Sequence, residues 1–236
     1  MSEARAVAEE RVGRRPVRSY VRREGRLTPA QSRALEQLLP DYEFPASEAA
    51  VDLPAVFGRR AETVLEIGFG NGDILAQLAA KHPERNYIGV EVHRPGIGRL
   101  LMRLHEDELD NVRIAPRDAS EVLRNEIPDD ALKQILIYFP DPWPKKRHRK
   151  RRLVQQEFVL LATAKLVVGG EFKLATDWPE YAAQMLEILN SRPDLQNLSP
   201  DDTYVERPDE RPVTRFEQRG RKKGHSVYDL AYRRII

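Results

Sequence analysis

Residues 63–82 read TVLEIGFGNGDILAQLAAKH: a short apolar run, glycines at 68, 70 and 72, then apolar residues at helical spacing. The pattern predicts a strand over Thr63–Ile67, a tight turn, and a helix over Ile74–His82. The alternation continues outward from this unit. Strand-like runs recur at Tyr87–Val92, Val112–Ala115, Gln134–Phe139 and Glu171–Thr176. Helix-like runs separate them at Gly96–Leu109, Ala119–Glu126 and Leu153–Val168, and Tyr181–Ser191 follows the last. Strands alternating with helices of roughly ten or more residues imply βαβ units and an α/β fold with a doubly wound, mainly parallel sheet. The tail breaks the rhythm. Residues 213–218 and 226–235 both read as strands with no helix between them, which predicts an antiparallel C-terminal hairpin on the sheet edge.

Upstream, Thr28-Pro29-Ala30-Gln31 has the form of a capping box, with Thr as N-cap, Pro at the first helical position and Gln three residues on. Ala34, Leu35, Leu38 and Leu39 follow at helical spacing and Pro40 closes the helix. Residues 41–62 read as a connection, and the Arg-rich residues 1–27 as a basic arm with no apolar period. The expected organisation is that arm followed by one domain over 28–236.

Composition narrows the chemistry. There is no cysteine, so disulfides, thiolate zinc sites and cysteine nucleophiles are excluded. The five histidines never fall at i, i+4, which removes the helical zinc motif. No apolar run approaches the ~18 residues of a membrane span, and the N-terminal stretch has no apolar segment of the signal-peptide kind, so the expected location is cytoplasmic. The net charge of +2 hides a segregation. Residues 1–33 carry +5, residues 145–152 carry +7, residues 211–225 carry +5, and the remainder is −15. Any one basic run can be a solvated face. Three on an otherwise acidic chain point to a polyanion, with nucleic acid the first candidate.

The glycine run is read against two ligand classes and against a plain βα turn. A dinucleotide fingerprint needs glycine at position 73, where this chain has Asp73. An acid at the helix start repels a pyrophosphate, and Glu66 adds a second negative charge beneath the loop. The loop therefore suits a ligand with cationic groups and no diphosphate, and S-adenosylmethionine has both a sulfonium and an ammonium. Glu66-x-Gly68-x-Gly70-x-Gly72 resembles the cofactor motif of Rossmann-like methyltransferases. Glu91 closes the second strand, where an acid can take both ribose hydroxyls. Asp118 follows the third strand, where the resemblance implies a contact with the adenine amino group. Each acid alone could equally be a solvated strand end or an N-cap.

The fourth strand runs into FPDPWPKKRHRKRR, residues 139–152. Prolines at 140, 142 and 144 fix φ and extend their predecessors, giving a stiff loop. The loop brings together an acid (Asp141), an aromatic (Trp143) and seven cations. A rigid edge-covering loop with a buried Trp is the alternative. This stretch, with LEIGFGNG, ATDW at 175–178 and PVTRFEQRG at 212–220, is similar to bacterial tRNA (guanine-N7)-methyltransferases over nearly the whole chain. The resemblance implies cofactor contacts at Glu66, Gly68, Gly70, Gly72, Glu91, Asp118 and Asp141, with Asp141 also the catalytic residue. It implies substrate contacts at Lys145, Asp177, Thr214, Arg215, Phe216 and Glu217. It assigns RNA contacts to Arg147, His148, Arg149, Lys150, Arg151 and Arg152. Asp177-Trp-Pro-Glu180 keeps a second reading as a capping box.

The implied reaction is methyl transfer from S-adenosylmethionine to N7 of guanine 46 in the tRNA variable loop. Two alternatives stay open: methylation of an exocyclic base amine, and a non-catalytic RNA-binding protein. The partner expected is tRNA, with no membrane and no metal. A monomer is expected, with a homodimer as the alternative.

Overall fold

The computed structural model describes residues 25–213, Glu217 and residues 226–236. Helix α1 (Pro29–Gln37) opens on the expected capping box. The Thr28 amide donates to Gln31 Oε1 at 2.9 Å, and the Gln31 amide donates to Thr28 Oγ1 at 3.2 Å. Pro40 does not close this helix. α1 ends at Gln37, and Pro40 sits in the first turn of a second, one-turn helix α2 (Leu39–Tyr42), where no amide donor is required. The connection expected over 41–62 also contains a short helix, α3 (Leu53–Phe57).

Then the alternation follows: β1 (Thr63–Ile67), α4 (Asp73–Lys81), β2 (Asn86–Val90), α5 (Arg94–Glu106), β3 (Val112–Ala115), α6 (Ala119–Asn125) and β4 (Leu132–Tyr138). A 3-10 turn (Lys146–Arg151), α7 (Gln156–Lys165), β5 (Leu166–Thr176), α8 (Pro179–Asn190), β6 (Leu195–Asn197) and β7 (Tyr228–Arg234) complete the described elements. β5 starts earlier than the sequence pattern predicts. Leu166–Val168 extends instead of continuing α7, and Gly169 at φ 82 lets the chain bulge before rejoining β4.

The seven strands are ordered β3-β2-β1-β4-β5-β7-β6. β3, β2, β1, β4 and β5 are parallel, while β7 runs antiparallel between β5 and β6. The antiparallel edge is therefore present, and among the described residues β7 pairs with Leu195–Asn197 as well as with β5. Of the strand expected over 213–218, residues 214–216 and 218 lie outside the described residues, and Glu217 is buried.

Every residue of β1 is buried because helices cover both faces of the sheet. Alternate side chains feed two cores. Leu65, Ile67, Ile135 and Ile137 pack with α6, α7 and α8. Val64 and Leu136 pack with α1, α4 and α5. By this alternation Glu66 shares the second face, and its strand partner in β4 is Leu136. Connections after β1 proceed outward to β2 and β3, while β4 and β5 lie on its other side. The reversal between β1 and β4 leaves a crevice at their carboxyl ends, where doubly wound sheets bind ligands. Among the described residues no helix is long and apolar enough to cross a membrane.

Candidate active site

The crevice is a cleft of about 420 Å3. Gly68, Gly70 and Glu91 form one wall, Phe139 and Asp141 the other, and Arg117 stands at the β3 side. Gly68, Gly70 and Gly72 all hold positive φ, at 75°, 58° and 73°, a left-handed path that side chains with a Cβ rarely follow. Glu91 locks this path from twenty-one residues away. Its Oε2 accepts from the Gly70 amide at 2.8 Å, and its Oε1 accepts from Val92 at 2.7 Å and His93 at 2.9 Å. A carboxylate offers about four lone-pair sites, so one remains for a ligand hydroxyl.

Glu66 lies under the loop with 2% exposure, and its Oε2 has no hydrogen-bond partner. Burial first, and then the charge of Glu91, pushes its carboxyl up to about 8. An orphaned, buried carboxyl oxygen beside a second acid is completed by a cationic ligand and opposed by a phosphate. The donor set thus fits the sulfonium-and-ammonium class of ligand.

Asp118 is the N-cap of α6, with Oδ1 accepting from Ser120 at 2.8 Å and Glu121 at 3.3 Å. The N-cap reading is therefore realised, and Oδ2 is the oxygen left to meet a ligand. Its neighbour Arg117, which sequence reasoning passed over, clamps Glu126 through two bonds of 2.9 and 2.6 Å and reaches the Phe44 and Pro45 carbonyls. It thereby fixes the wall in which Asp118 stands.

Across the cleft Asp141 is exposed at the end of β4, and Lys145 is exposed four residues on. Asp177 directly follows the neighbouring strand β5, in which Ala175 is paired with Tyr138 of β4. The capping box expected at Asp177 is not formed. Trp178 is the N-cap of α8, and its amide donates to Thr176 Oγ1 at 3.2 Å. Glu180 instead binds Arg149 at 2.5 Å.

The basic stretch divides in two. Lys145, Lys146, Arg147 and Lys150 are exposed. The Arg151 guanidinium lies 5.1 Å from the Trp143 ring centre, and the His148 ring meets the same indole edge-on at 5.9 Å. Burial, then the cations Arg147, Arg151, Lys145 and Lys150, hold the His148 imidazole below its usual value. Arg152 is a correction to the expected RNA surface: it is 2% exposed. Its guanidinium donates to the Pro142 carbonyl at 2.8 Å and Gln184 Oε1 at 2.7 Å, and it covers the Tyr181 ring. It ties the proline loop down to α8 and presents no free face to a phosphate.

Glu217 is the second correction. Expected to contact substrate, it is 1% exposed, with Oε2 accepting from Arg211 Nη1 at 2.6 Å. Arg211 also donates from Nε to Asp229 Oδ1 at 2.7 Å and from Nη2 to Oδ2 at 3.0 Å. Sequence reasoning missed this buried triad. Thr214, Arg215 and Phe216 lie outside the described residues. Among the described residues no group of three or more His, Cys, Asp or Glu is placed to hold a metal ion.

Residues 60–230 fit a family model described as "Putative methyltransferase". A tRNA (guanine-N(7)-)-methyltransferase of Alkalilimnicola ehrlichii is 54% identical over 229 residues, covering 96% of each chain. The protein of the same name from Methylococcus capsulatus is 54% identical over 220 residues, covering 93% of this chain and 95% of the relative. Among solved structures, a 16S rRNA adenine methyltransferase from Catenulisporales acidiphilia, crystallised with the cosubstrate SAM, superposes with a TM-score of 0.54. Its identity is 13%, it covers 79% of this chain and 93% of its own, and it speaks to the fold alone.

Proposed function

This chain belongs to the tRNA (guanine-N(7)-)-methyltransferase family, and from that premise we propose that it methylates N7 of a guanine in tRNA, at position 46 of the variable loop. One observation carries the reading. A glycine cradle with two acids faces Asp141 across one cleft, and the wall bearing Asp141 continues directly into a basic run whose Lys145, Lys146, Arg147 and Lys150 are exposed. The cosubstrate of this reading is S-adenosylmethionine, which when bound supplies a methyl group activated by the adjoining sulfonium.

Glu66 would meet its cationic groups, Glu91 a ribose hydroxyl through the remaining lone pair, and Asp118 its adenine. Gly68, Gly70 and Gly72 let the backbone approach closely. On the substrate side, Lys145, Asp177 and the Thr214–Phe216 strip receive the nucleotide. Arg147, His148, Arg149, Lys150 and Arg151 meet phosphates, with the basic residues of 1–27 as a further contact. The catalytic domain of this reading spans 28–236.

Guanine N7 carries an in-plane lone pair and no proton, so no residue has to act as an obligatory base. What the protein contributes is alignment. Asp141, at the cleft mouth, can accept hydrogen bonds from the guanine N–H groups and so fix the plane of the base. Its charge also favours the positive charge that grows on the purine.

The test is methyl transfer from labelled S-adenosylmethionine to unmodified tRNA, followed by nuclease digestion and nucleoside mass spectrometry. 7-Methylguanosine at the variable-loop position is the expected product. A methyl on an exocyclic amine would move the activity to another base position, and no transfer with no cofactor binding would leave an RNA-binding protein.

A further inference from the structure

We propose that Arg211 is a positioning residue for methyl transfer. In this role, which rests on the reading above, it couples Glu217 and β7 to the loop that carries Asp141. Arg211 is 1% exposed and ion-pairs with both Glu217 and Asp229, whose side chains are 0% and 5% exposed. Its guanidinium also lies 5.9 Å from the Tyr138 ring centre and 5.5 Å from that of Phe139. Three parts of the chain meet on one planar group. Glu217 lies six residues on from Arg211, and Asp229 belongs to β7, opposite Ala175 of β5. Tyr138 ends β4 and Phe139 follows it, two residues before Asp141.

Phe139 shows why such a tie is needed. It holds φ at 53°, a conformation that a bulky non-glycine residue keeps only when its surroundings over-determine it. Its amide is bonded to the Ala175 carbonyl at 2.8 Å, and its ring packs beside Arg211. A change of residue 211 therefore reaches Asp141 through Phe139 and β7 through Asp229. A stabilising core alone does not explain the arrangement. Buried ion pairs are often replaceable by neutral groups without loss of stability, whereas the guanidinium fork fixes directions that no other side chain reproduces.

Two variants separate positioning from structure. Arg211→Lys keeps the charge and loses the fork. Expected are a folded protein by circular dichroism, cofactor affinity within about twofold, a raised KM for tRNA, and kcat reduced by about 10–100-fold, the scale of a misplaced reacting group. The triple variant Arg211→Met, Glu217→Gln, Asp229→Asn removes all three charges; expected are a melting temperature near that of the parent and a kcat that stays low. Hydrogen exchange of the peptide 226–234 should quicken in Arg211→Lys while that of β1 does not. Recovery of kcat by the triple variant, unchanged kcat and KM in Arg211→Lys, or a kcat loss that follows cofactor affinity would each overturn the proposal. Should the parent fail to methylate tRNA, the functional reading falls by itself. The exchange experiment then still decides whether Arg211 anchors β7.

Discussion

The carbonyl oxygen of Gly70 stands 2.0 Å from where a Cβ on residue 96 would lie. Helix α5 thus abuts the glycine loop from behind while Glu91 holds it from the side. The loop is confined between two elements contributed by the second βα unit. Gly96→Ala must push the loop toward the cleft or shift α5. Overpacking of this kind costs about 1–3 kcal/mol, which for a chain of this size lowers Tm by roughly 2–4 °C per kcal/mol. Cofactor affinity should fall at least about tenfold if about 1.4 kcal/mol of the strain is expressed in the loop. Calorimetric titration and thermal melting check both, and an affinity equal to that of the parent would show that the loop is not confined.

The buried carboxyl of Glu66 gives cofactor binding a proton signature. With its titration pushed up to about 8, this acid is largely protonated at pH 7. A cation bound beside it favours the carboxylate, so binding should release close to one proton at pH 7, and affinity should rise with pH until Glu66 ionises unaided. Titrations at pH 7 in buffers of different ionisation enthalpy measure the release directly. In Glu66→Gln it should vanish.

The same shift has the opposite sign for the free protein. Because the folded-state value lies above the unfolded one, the folded state binds more protons between about pH 4.5 and 8, and stability falls as pH rises through that window. Glu66→Gln should therefore melt higher than the parent at pH 9 and much closer to it at pH 5. Equal differences at both pH values would remove the titration from Glu66.

Local signals made the first half of this architecture readable. Thr28 and Gln31 are three residues apart and need only each other, and β1, its glycine loop and α4 are encoded consecutively. The acids of the cleft were legible too, because strand ends in a doubly wound sheet converge. What escaped depends on distant partners. β6 is three residues long and exists through pairing with β7, so it carries no period of its own. Arg211 and Asp229 are eighteen residues apart, and nothing local marks them as a pair. Within KKRHRKRR every residue looks alike as charge, and only the fold turns Arg152 inward.

Asp141 should separate turnover from binding. If it orients guanine and favours positive charge on the purine, Asp141→Ala removes an interaction that strengthens toward the transition state. The loss then appears in kcat, by roughly 100-fold or more, with the Kd for tRNA changed by no more than about threefold. Single-turnover rates and filter-binding affinities on the same variant supply the comparison. A variant that turns over normally would take Asp141 out of the chemistry.

Arg147 and Arg152 make opposite predictions from within one basic run. Arg147 is exposed, so its replacement by Ala should weaken tRNA binding and flatten the dependence of log K on log salt by roughly one unit, the counterion share of one phosphate contact. The melting temperature should stay within a degree or two. Arg152→Ala removes a buried donor from the Pro142 carbonyl and Gln184 and uncovers the Tyr181 ring. Leaving such groups unmatched costs about 1–3 kcal/mol, so Tm should drop while the salt slope is kept. Turnover should fall as well, because the proline loop that presents Asp141 loses its tether to α8. Binding isotherms at several salt concentrations, run beside thermal melts, decide the matter. A flattened slope in Arg152→Ala with an unchanged melting temperature would place that guanidinium on the RNA after all.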